Sequence, residues 1–149
     1  EFLTAKRIAV TGVSRHTDGH GGNVVLKGLR ARGFDVVPVN PNADEVEGGV
    51  CYHSLSDIPG GVDAVVIATA PDQAEATVRE CERLGVHQVW LHRSLGAGSV
   101  SDQALDYGKS HGMRIIPGGC PLMFGADADL GHRFMRGFCR MTGAVPRQI

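Results

Sequence analysis

Short apolar runs alternate along this chain with longer stretches whose apolar residues recur at helical spacing. The first run, Ile8-Ala9-Val10, reads as a buried strand that turns at Gly12. A polar loop, Ser14-Arg15-His16-Thr17-Asp18, leaves through Gly19, Gly21 and Gly22 into residues 24–29, which read as the first helix. Arg32-Gly33 stops that helix, residues 34–39 supply a second strand, and Asn40-Pro41-Asn42 closes it in a turn. Residues 45–52 form an acidic, glycine-bearing excursion, and residues 54–59 read as a short helical turn with a serine cap. Residues 62–68 are apolar throughout except Asp63, as expected of a central parallel strand covered on both faces. Pro71 suits a first helical position, and Ala74, Val78, Cys81 and Leu84 follow at helical spacing up to Gly85. Val89-Trp90-Leu91 is a fourth strand, left through residues 93–98. Ser99 or Ser101 caps a third helix carrying Ala104, Leu105 and Tyr107 and stopped by Gly112. Residues 113–116 are the fifth strand, broken by Pro117-Gly118-Gly119-Cys120-Pro121. A last helix is expected to start near Asp127, with Leu130, Phe134, Phe138 and Met141 along one face. That face is expected to pack on the sheet or to make a homodimer contact, with core packing favoured. Residues 1–5 and 143–149 are expected to fray.

Strands alternating with helices imply an α/β fold: a Rossmann-like, doubly wound, parallel five-stranded sheet with helices on both faces, in a single domain over residues 1–149. A helix ending in glycine feeds a strand at Arg32-Gly33, at Leu84-Gly85 and at His111-Gly112, which supports this alternation. The expected strand order is the Rossmann order, 3-2-1-4-5, with the flavodoxin-like order as rival. Either order puts a ligand at the carboxyl ends of the strands, where strand order reverses.

Composition narrows the setting without naming a function. The 149 residues are 42% hydrophobic and 21% charged, with a net charge of −1, so no global field draws the chain to nucleic acid or membrane. No apolar stretch approaches the length of a membrane helix, and no secretory leader is apparent. Cys51, Cys81, Cys120 and Cys139 form no CxxC pair, which favours a reduced, cytoplasmic setting over a disulfide framework.

The chemistry concentrates at the first glycine loop. The first backbone N–H groups of a helix have no internal partner, and the helix dipole adds positive charge there. A strand, a glycine loop and a helix start therefore cradle phosphate, and a phosphorylated nucleotide is expected on this loop. The loop is Gly12-Val13-Ser14-Arg15 rather than GxGxxG, and Asn40 stands where an NAD site would have an acidic residue. No GxxxxGK[ST] is present, which excludes a P-loop. Arg15, His16 and His20 are candidates to face phosphate, although the histidines read better as solvated loop residues. Cys120 reads as a buried, inert thiol rather than a redox group. Cys120, His132 and Cys139 match no zinc spacing, so no metal is assigned. No triad or converging carboxylate pair is visible, so no catalytic residue is assigned.

Taken together, VTGVSR, the Gly-Asn pair entering the first helix, VVPVNP, CYHSLSDIP, VDAVVIATAP, VWLHRSLG and GGCP resemble the small CoA-binding proteins. These share their Rossmann domain with the N-terminal part of the succinyl-CoA synthetase α subunit. The resemblance covers residues 6–124. It implies coenzyme A or an acyl-CoA bound across the strand ends, with Gly12, Val13, Ser14 and Arg15 at the phosphates. It implies Asn40 and Pro41 beside the adenosine end, Ala68, Thr69 and Ala70 along the pantetheine, and Asn23 assisting from the helix start. The chain departs from many members around Gly118-Gly119-Cys120-Pro121-Leu122 and in the length of its last helix. The phosphohistidine that makes a synthetase catalytic belongs to a second domain. The expected function is thus a CoA-binding or regulatory module without catalysis of its own. The rivals are an NAD(P)-binding oxidoreductase-like domain and an interaction protein with a degenerate nucleotide site.

Overall fold

The computed structural model describes residues 2–16, 21–93, 98–125, 128–141 and 143. Five parallel strands form the main sheet: β1 (Arg7–Thr11), β2 (Asp35–Val39), β5 (Ala64–Ile67), β6 (Gln88–Leu91) and β7 (Arg114–Pro117). A separate antiparallel hairpin, β3 (Glu45–Val46) and β4 (Gly49–Val50), turns through Glu47 and Gly48, both at positive φ. Helices α1 (Gly21–Ala31), α2 (Pro71–Arg83) and α3 (Asp102–Ser110) connect the strands, and α4 (Leu130–Met141) closes the described chain.

Period-two alternation assigns each strand residue to one of two cores. Ile8, Val10, Val36, Ala64, Val66, Trp90 and Ile116 face Val25, Leu26 and Leu29 of α1. Ala9, Val37, Val39, Val65, Ile67, Val89 and Leu91 face Ala74, Val78 and Cys81 of α2 and Ala104 of α3. Helices therefore cover both faces, which is why residues 64–67 are buried without exception. Asp63, the one acid in that run, lies just before the strand, where its carboxylate accepts from the backbone N–H of Lys6 and Arg7 at 3.0 and 2.9 Å.

The strand order is β2-β1-β5-β6-β7. In order of the five main strands this is 2-1-3-4-5, so the expected 3-2-1-4-5 order is corrected to the rival one. The third main strand crosses to the far side of β1. Beside β2, the place it was expected to take is held by one residue: Tyr52 bridges Val39 in parallel, its N–H donating to Pro38 O and its carbonyl accepting from Asn40 N. The reversal still falls at β1, between its neighbours β2 and β5.

The ends differ from expectation. Phe2–Thr4 form a 3-10 turn rather than a frayed end, and Phe2 is 1% exposed, edge-on to Trp90 with ring centroids 5.3 Å apart. Trp90 also packs on Phe124, and its indole N–H donates to the carbonyls of Gly118 and Gly119 at 3.0 and 3.2 Å. Ser54 precedes its 3-10 turn but caps no backbone N–H, because its hydroxyl donates to the Asp57 carboxylate at 2.8 Å. Ser101, not Ser99, caps α3, accepting from Ala104 N. Asp127, the expected start of the last helix, and residues 144–149 lie outside the described residues. α4 is instead preceded by Asp129, which accepts from His132 N at 2.9 Å. Its apolar stripe is not core: Leu130, Phe134, Phe138 and Met141 are 56–88% exposed. Cys139 and Met135 anchor the other side of the helix to the α1 core.

Phe2→Ala removes a buried ring whose neighbours cannot close the space, so unfolding free energy should fall by about 3–5 kcal/mol in chemical denaturation. A loss under 1 kcal/mol would mean that the N-terminal turn is not part of the core.

Candidate functional site

At the carboxyl edge of the sheet, three backbones meet with no side chain between them. Gly12, just past β1, has φ +75°, and a Cβ there would collide with the Ala68 carbonyl and the Thr69 N–H after β5. A Cβ on Gly22, in the first turn of α1, would lie 2.6 Å from the Gly12 carbonyl oxygen. Both positions therefore require glycine: the first for its left-handed backbone as well as its contact, the second for contact alone. The approach packs the loop after β1 onto the N-terminus of α1.

Two asparagines hold that loop in place. Asn23 is fully buried in the first turn of α1. Its Oδ1 accepts from Ser14 N at 2.7 Å, and its Nδ2 donates to Ser14 O at 2.8 Å and to Glu47 Oε1 at 3.0 Å. Asn40, after β2, donates from Nδ2 to Val13 O at 2.7 Å and accepts from Asn42 N at 2.8 Å. The Ser14 hydroxyl accepts from His16 N at 3.0 Å. Glu47 brings a carboxylate to this end of α1, balanced by Lys27 Nζ at 3.7 Å.

The structure thus brings Gly12, Val13, Ser14, Asn23, Asn40, Ala68 and Thr69 into one connected group. Arg15, Pro41 and Ala70 are exposed beside it. The asparagine side chains are occupied by backbone, which gives them a supporting place rather than free ligand-facing amides. Residues 17–20 and 94–97, including His20, lie outside the described residues.

Further groups gather at the same edge. Ser99 is buried, and its hydroxyl donates to Thr69 O at 2.5 Å, tying the loop after β6 to the loop after β5. The hydroxyls of Thr11 and Thr69 are buried without a hydrogen-bond partner among the described residues. Such orphans are uncommon in native interiors and mark places where a ligand or water supplies the partner. His92, directly after β6, is 7% exposed, and its Cε1 lies 3.0 Å from where a Gly21 Cβ would be. Burial holds its imidazole well below the ordinary range, at about 4, so the ring is neutral at pH 7. A polar residue immediately after an all-apolar strand was the sequence signal for His92. Ser99 gave no such signal, because its partner lies 30 residues away in the chain.

Cys120 is buried, and desolvation pushes its thiol up to about 11, so it is not poised as a nucleophile. Among the described residues, no group of three or more His, Cys, Asp or Glu is placed to hold a metal ion. His132 instead pairs through Nδ1 with Asp129 Oδ2 at 2.6 Å. A cavity of about 720 Å³ lies between α1 and α4, beside Lys27, Gly28, Leu122 and His132, and another of about 380 Å³ lies near Arg7, Ser56 and Gly61. Neither coincides with the strand-end junction.

A five-stranded parallel sheet covered by helices on both faces, with its first strand followed by a glycine packed on the first turn of α1, defines a Rossmann-like α/β domain. Residues 6–126 match the family described as the CoA binding domain, and the chain belongs to that family. It is 34% identical over 125 residues to ADP-forming acetate–CoA ligase II of Archaeoglobus fulgidus, covering 78% of this chain and 18% of that ligase. It is 30% identical over 112 residues to the uncharacterized protein YneT of Bacillus subtilis, covering 75% of this chain and 79% of YneT. A solved structure of a hypothetical protein from Pyrococcus horikoshii OT3 superimposes with a TM-score of 0.69 at 30% identity, covering 76% of this chain and 77% of that one. The chain spans only 18–31% of the acetate–CoA ligases or ligase subunits it matches.

The buried neutral imidazole makes stability depend on acid. His92 has a folded-state value near 4 against an ordinary 6.5, so the unfolded chain binds the extra proton first. Its contribution is complete above about pH 6.5 and is lost as pH falls toward 4, to a total of about 3 kcal/mol. Between pH 7 and 4, wild type should therefore lose about 3 kcal/mol relative to His92→Gln in chemical denaturation. Parallel pH curves would count against the buried neutral ring.

Proposed function

We propose that this domain binds coenzyme A or an acyl-CoA along the carboxyl edge of its sheet, as a binding or regulatory module with no catalytic activity of its own. The observation that carries the reading is the junction of Gly12, Gly22 and Ala68, where three backbones meet with no Cβ between them beside the first turn of α1. A diphosphate needs such an approach, because donors on backbone amides reach it only where no Cβ intervenes. In this reading Gly12, Val13 and Ser14 present the loop to the diphosphate, with Asn23 bracing it from behind. Arg15, exposed and without a side-chain hydrogen bond or ion pair among the described residues, supplies the cation. Asn40 and Pro41 flank the adenosine, and Ala68, Thr69 and Ala70 flank the pantetheine, where the Thr69 hydroxyl lacks a partner. The match of residues 6–126 to the CoA binding domain supports the choice of ligand over NAD(P). The site is built from glycines, amides and hydroxyls, which supports binding over chemistry. Among the described residues no helix is long and apolar enough to cross a membrane, and all four cysteines are buried and outside any disulfide. A reduced, cytoplasmic setting belongs to the same proposal.

The test is the melting temperature with CoA, acetyl-CoA, NAD, NADP, FAD and ATP in separate samples. A ligand of the folded state alone adds about 2.7 kcal/mol at a hundred times its dissociation constant. CoA or acetyl-CoA is expected to raise the midpoint while NAD and NADP do not; the reverse would select the oxidoreductase-like rival. Arg15→Glu should keep the unliganded midpoint, because the side chain is exposed, and weaken CoA at least tenfold, or about 1.4 kcal/mol.

A further inference from the structure

The end of β6 adds a feature that phosphate binding on a glycine loop does not require. His92 is held on both sides of its backbone: its N–H donates to Ile67 O at 2.9 Å, and its carbonyl accepts from Ser99 N at 2.8 Å. Its side chain is over nine-tenths buried and turns its Nδ1–Cε1 edge to the first residue of α1. Any residue with a Cβ at position 21 would press on that ring, at 3.0 Å from Cε1 and 3.5 Å from Nδ1. The ring nitrogens have no hydrogen-bond partner among the described residues. A buried, unpartnered imidazole thus stands against the positive end of an 11-residue helix.

We infer that His92 takes up a proton when an anionic ligand binds at the N-terminus of α1, so that binding of the diphosphate is coupled to pH through this one residue. The inference rests on the CoA-binding reading and deepens it by naming how that site is regulated.

Among the described residues, the surroundings leave the coupling to the ligand. The first turn of α1 is Gly21-Gly22-Asn23, with no ionisable group. Glu47 reaches Asn23 but is balanced by Lys27. The loop after β5 brings Ala68 and Thr69, and Gly98 and Ser99 return past His92; none of these ionises. Past β7 stands Cys120, whose thiol is neutral. Arg15 and His16 lie on the loop after β1, and Arg93 follows His92 in the chain. Asp18 and His20 lie outside the described residues. Burial alone accounts for the low value of His92 in the free protein, near 4.

In the free protein both burial and the helix dipole oppose a charged ring. A bound diphosphate reverses the second effect by placing negative charge at the helix end. An opposite charge within about 4–6 Å moves an ionisable group by about 1–3 pKa units, which lifts His92 from about 4 to about 5–7. The sign follows from linkage. Because the bound form holds the proton more tightly, affinity rises as pH falls through the bound value and levels off below the free value. For a bound value near 6, the dissociation constant tightens about tenfold between pH 8 and pH 5.

The probe is 3′-dephospho-CoA, which has the diphosphate but no phosphate monoester that titrates near pH 6. Calorimetric titrations at pH 6 and pH 8, in two buffers of different ionisation enthalpy, read the protons taken up per ligand bound. Wild type is expected to take up about half a proton at pH 6 and almost none at pH 8. His92→Gln, which keeps an N–H donor but cannot ionise, is expected to show almost none at either pH. Equal uptake in the two proteins would overturn the inference and leave CoA binding standing. If wild type gives no binding heat and no melting shift with CoA or dephospho-CoA, the binding reading itself fails. Should the variant not fold, the His92 Cε1–H resonance of wild type decides. Its titration midpoint must rise when ligand is added, and an unchanged midpoint overturns the coupling.

Discussion

Three backbones pressed together without a side chain between them are the constraint on which this molecule turns. Gly12 lies against Ala68 and Thr69, and Gly22 lies against Gly12. That contact fixes how far β1 can run before the chain must turn, and it sets α1 close to the exit of β5. The parallel pairing of β1 with both β2 and β5 brings the loops after all three strands to one edge. Had either glycine carried a side chain, the loop after β1 would stand away from the helix.

The two asparagines show how the loop after β1 keeps its shape. Asn23 makes a reciprocal pair with both backbone groups of Ser14, and Asn40 holds Val13 O from the other side. A buried amide that lost such partners would cost about 1–3 kcal/mol per unsatisfied group, so these bonds fix the loop more firmly than its sequence alone could. Residues that look like ligand donors from their type and position are here the struts of the donor. Selectivity then falls to the surrounding features: the exposed Arg15, the hydroxyls of Thr11 and Thr69, and the ring of His92.

Much of this was legible in the chain, and the gaps have physical causes. The strands were readable because burial on both faces leaves unbroken apolar runs such as Ala64-Val65-Val66-Ile67. The helix ends were readable because Gly33, Gly85 and Gly112 each take a positive φ that other residues avoid. Strand order was not, since a crossover of one length can carry the third main strand to either side of β1, and only packing decides. The remnant at Tyr52 is one bridge long, too short to leave a pattern. The last helix misled for a different reason. Period alone shows that Leu130, Phe134, Phe138 and Met141 share a face but not which way it points, and the smaller Cys139 won the core side.

The site also carries an energetic signature. Native interiors seldom leave hydroxyls without partners, because each lowers stability by about 1–3 kcal/mol. Among the described residues the hydroxyls of Thr11 and Thr69 lack a hydrogen-bond partner at the carboxyl edge of the sheet, and Arg7 Nε and Gln88 Oε1 lack one at its amino edge. The two at the carboxyl edge stand at the ends of β1 and β5, beside the reversal of strand order. With a formal net charge of −1, the chain has no long-range attraction for an anion, so recognition must come from short-range donors and from the helix end. An anionic ligand would supply partners to the orphaned groups and charge to the neutral ring, returning the stability that the free fold gives up at this edge. The same feature that makes the unliganded site costly therefore makes it selective, because only a molecule that meets those groups recovers the deficit.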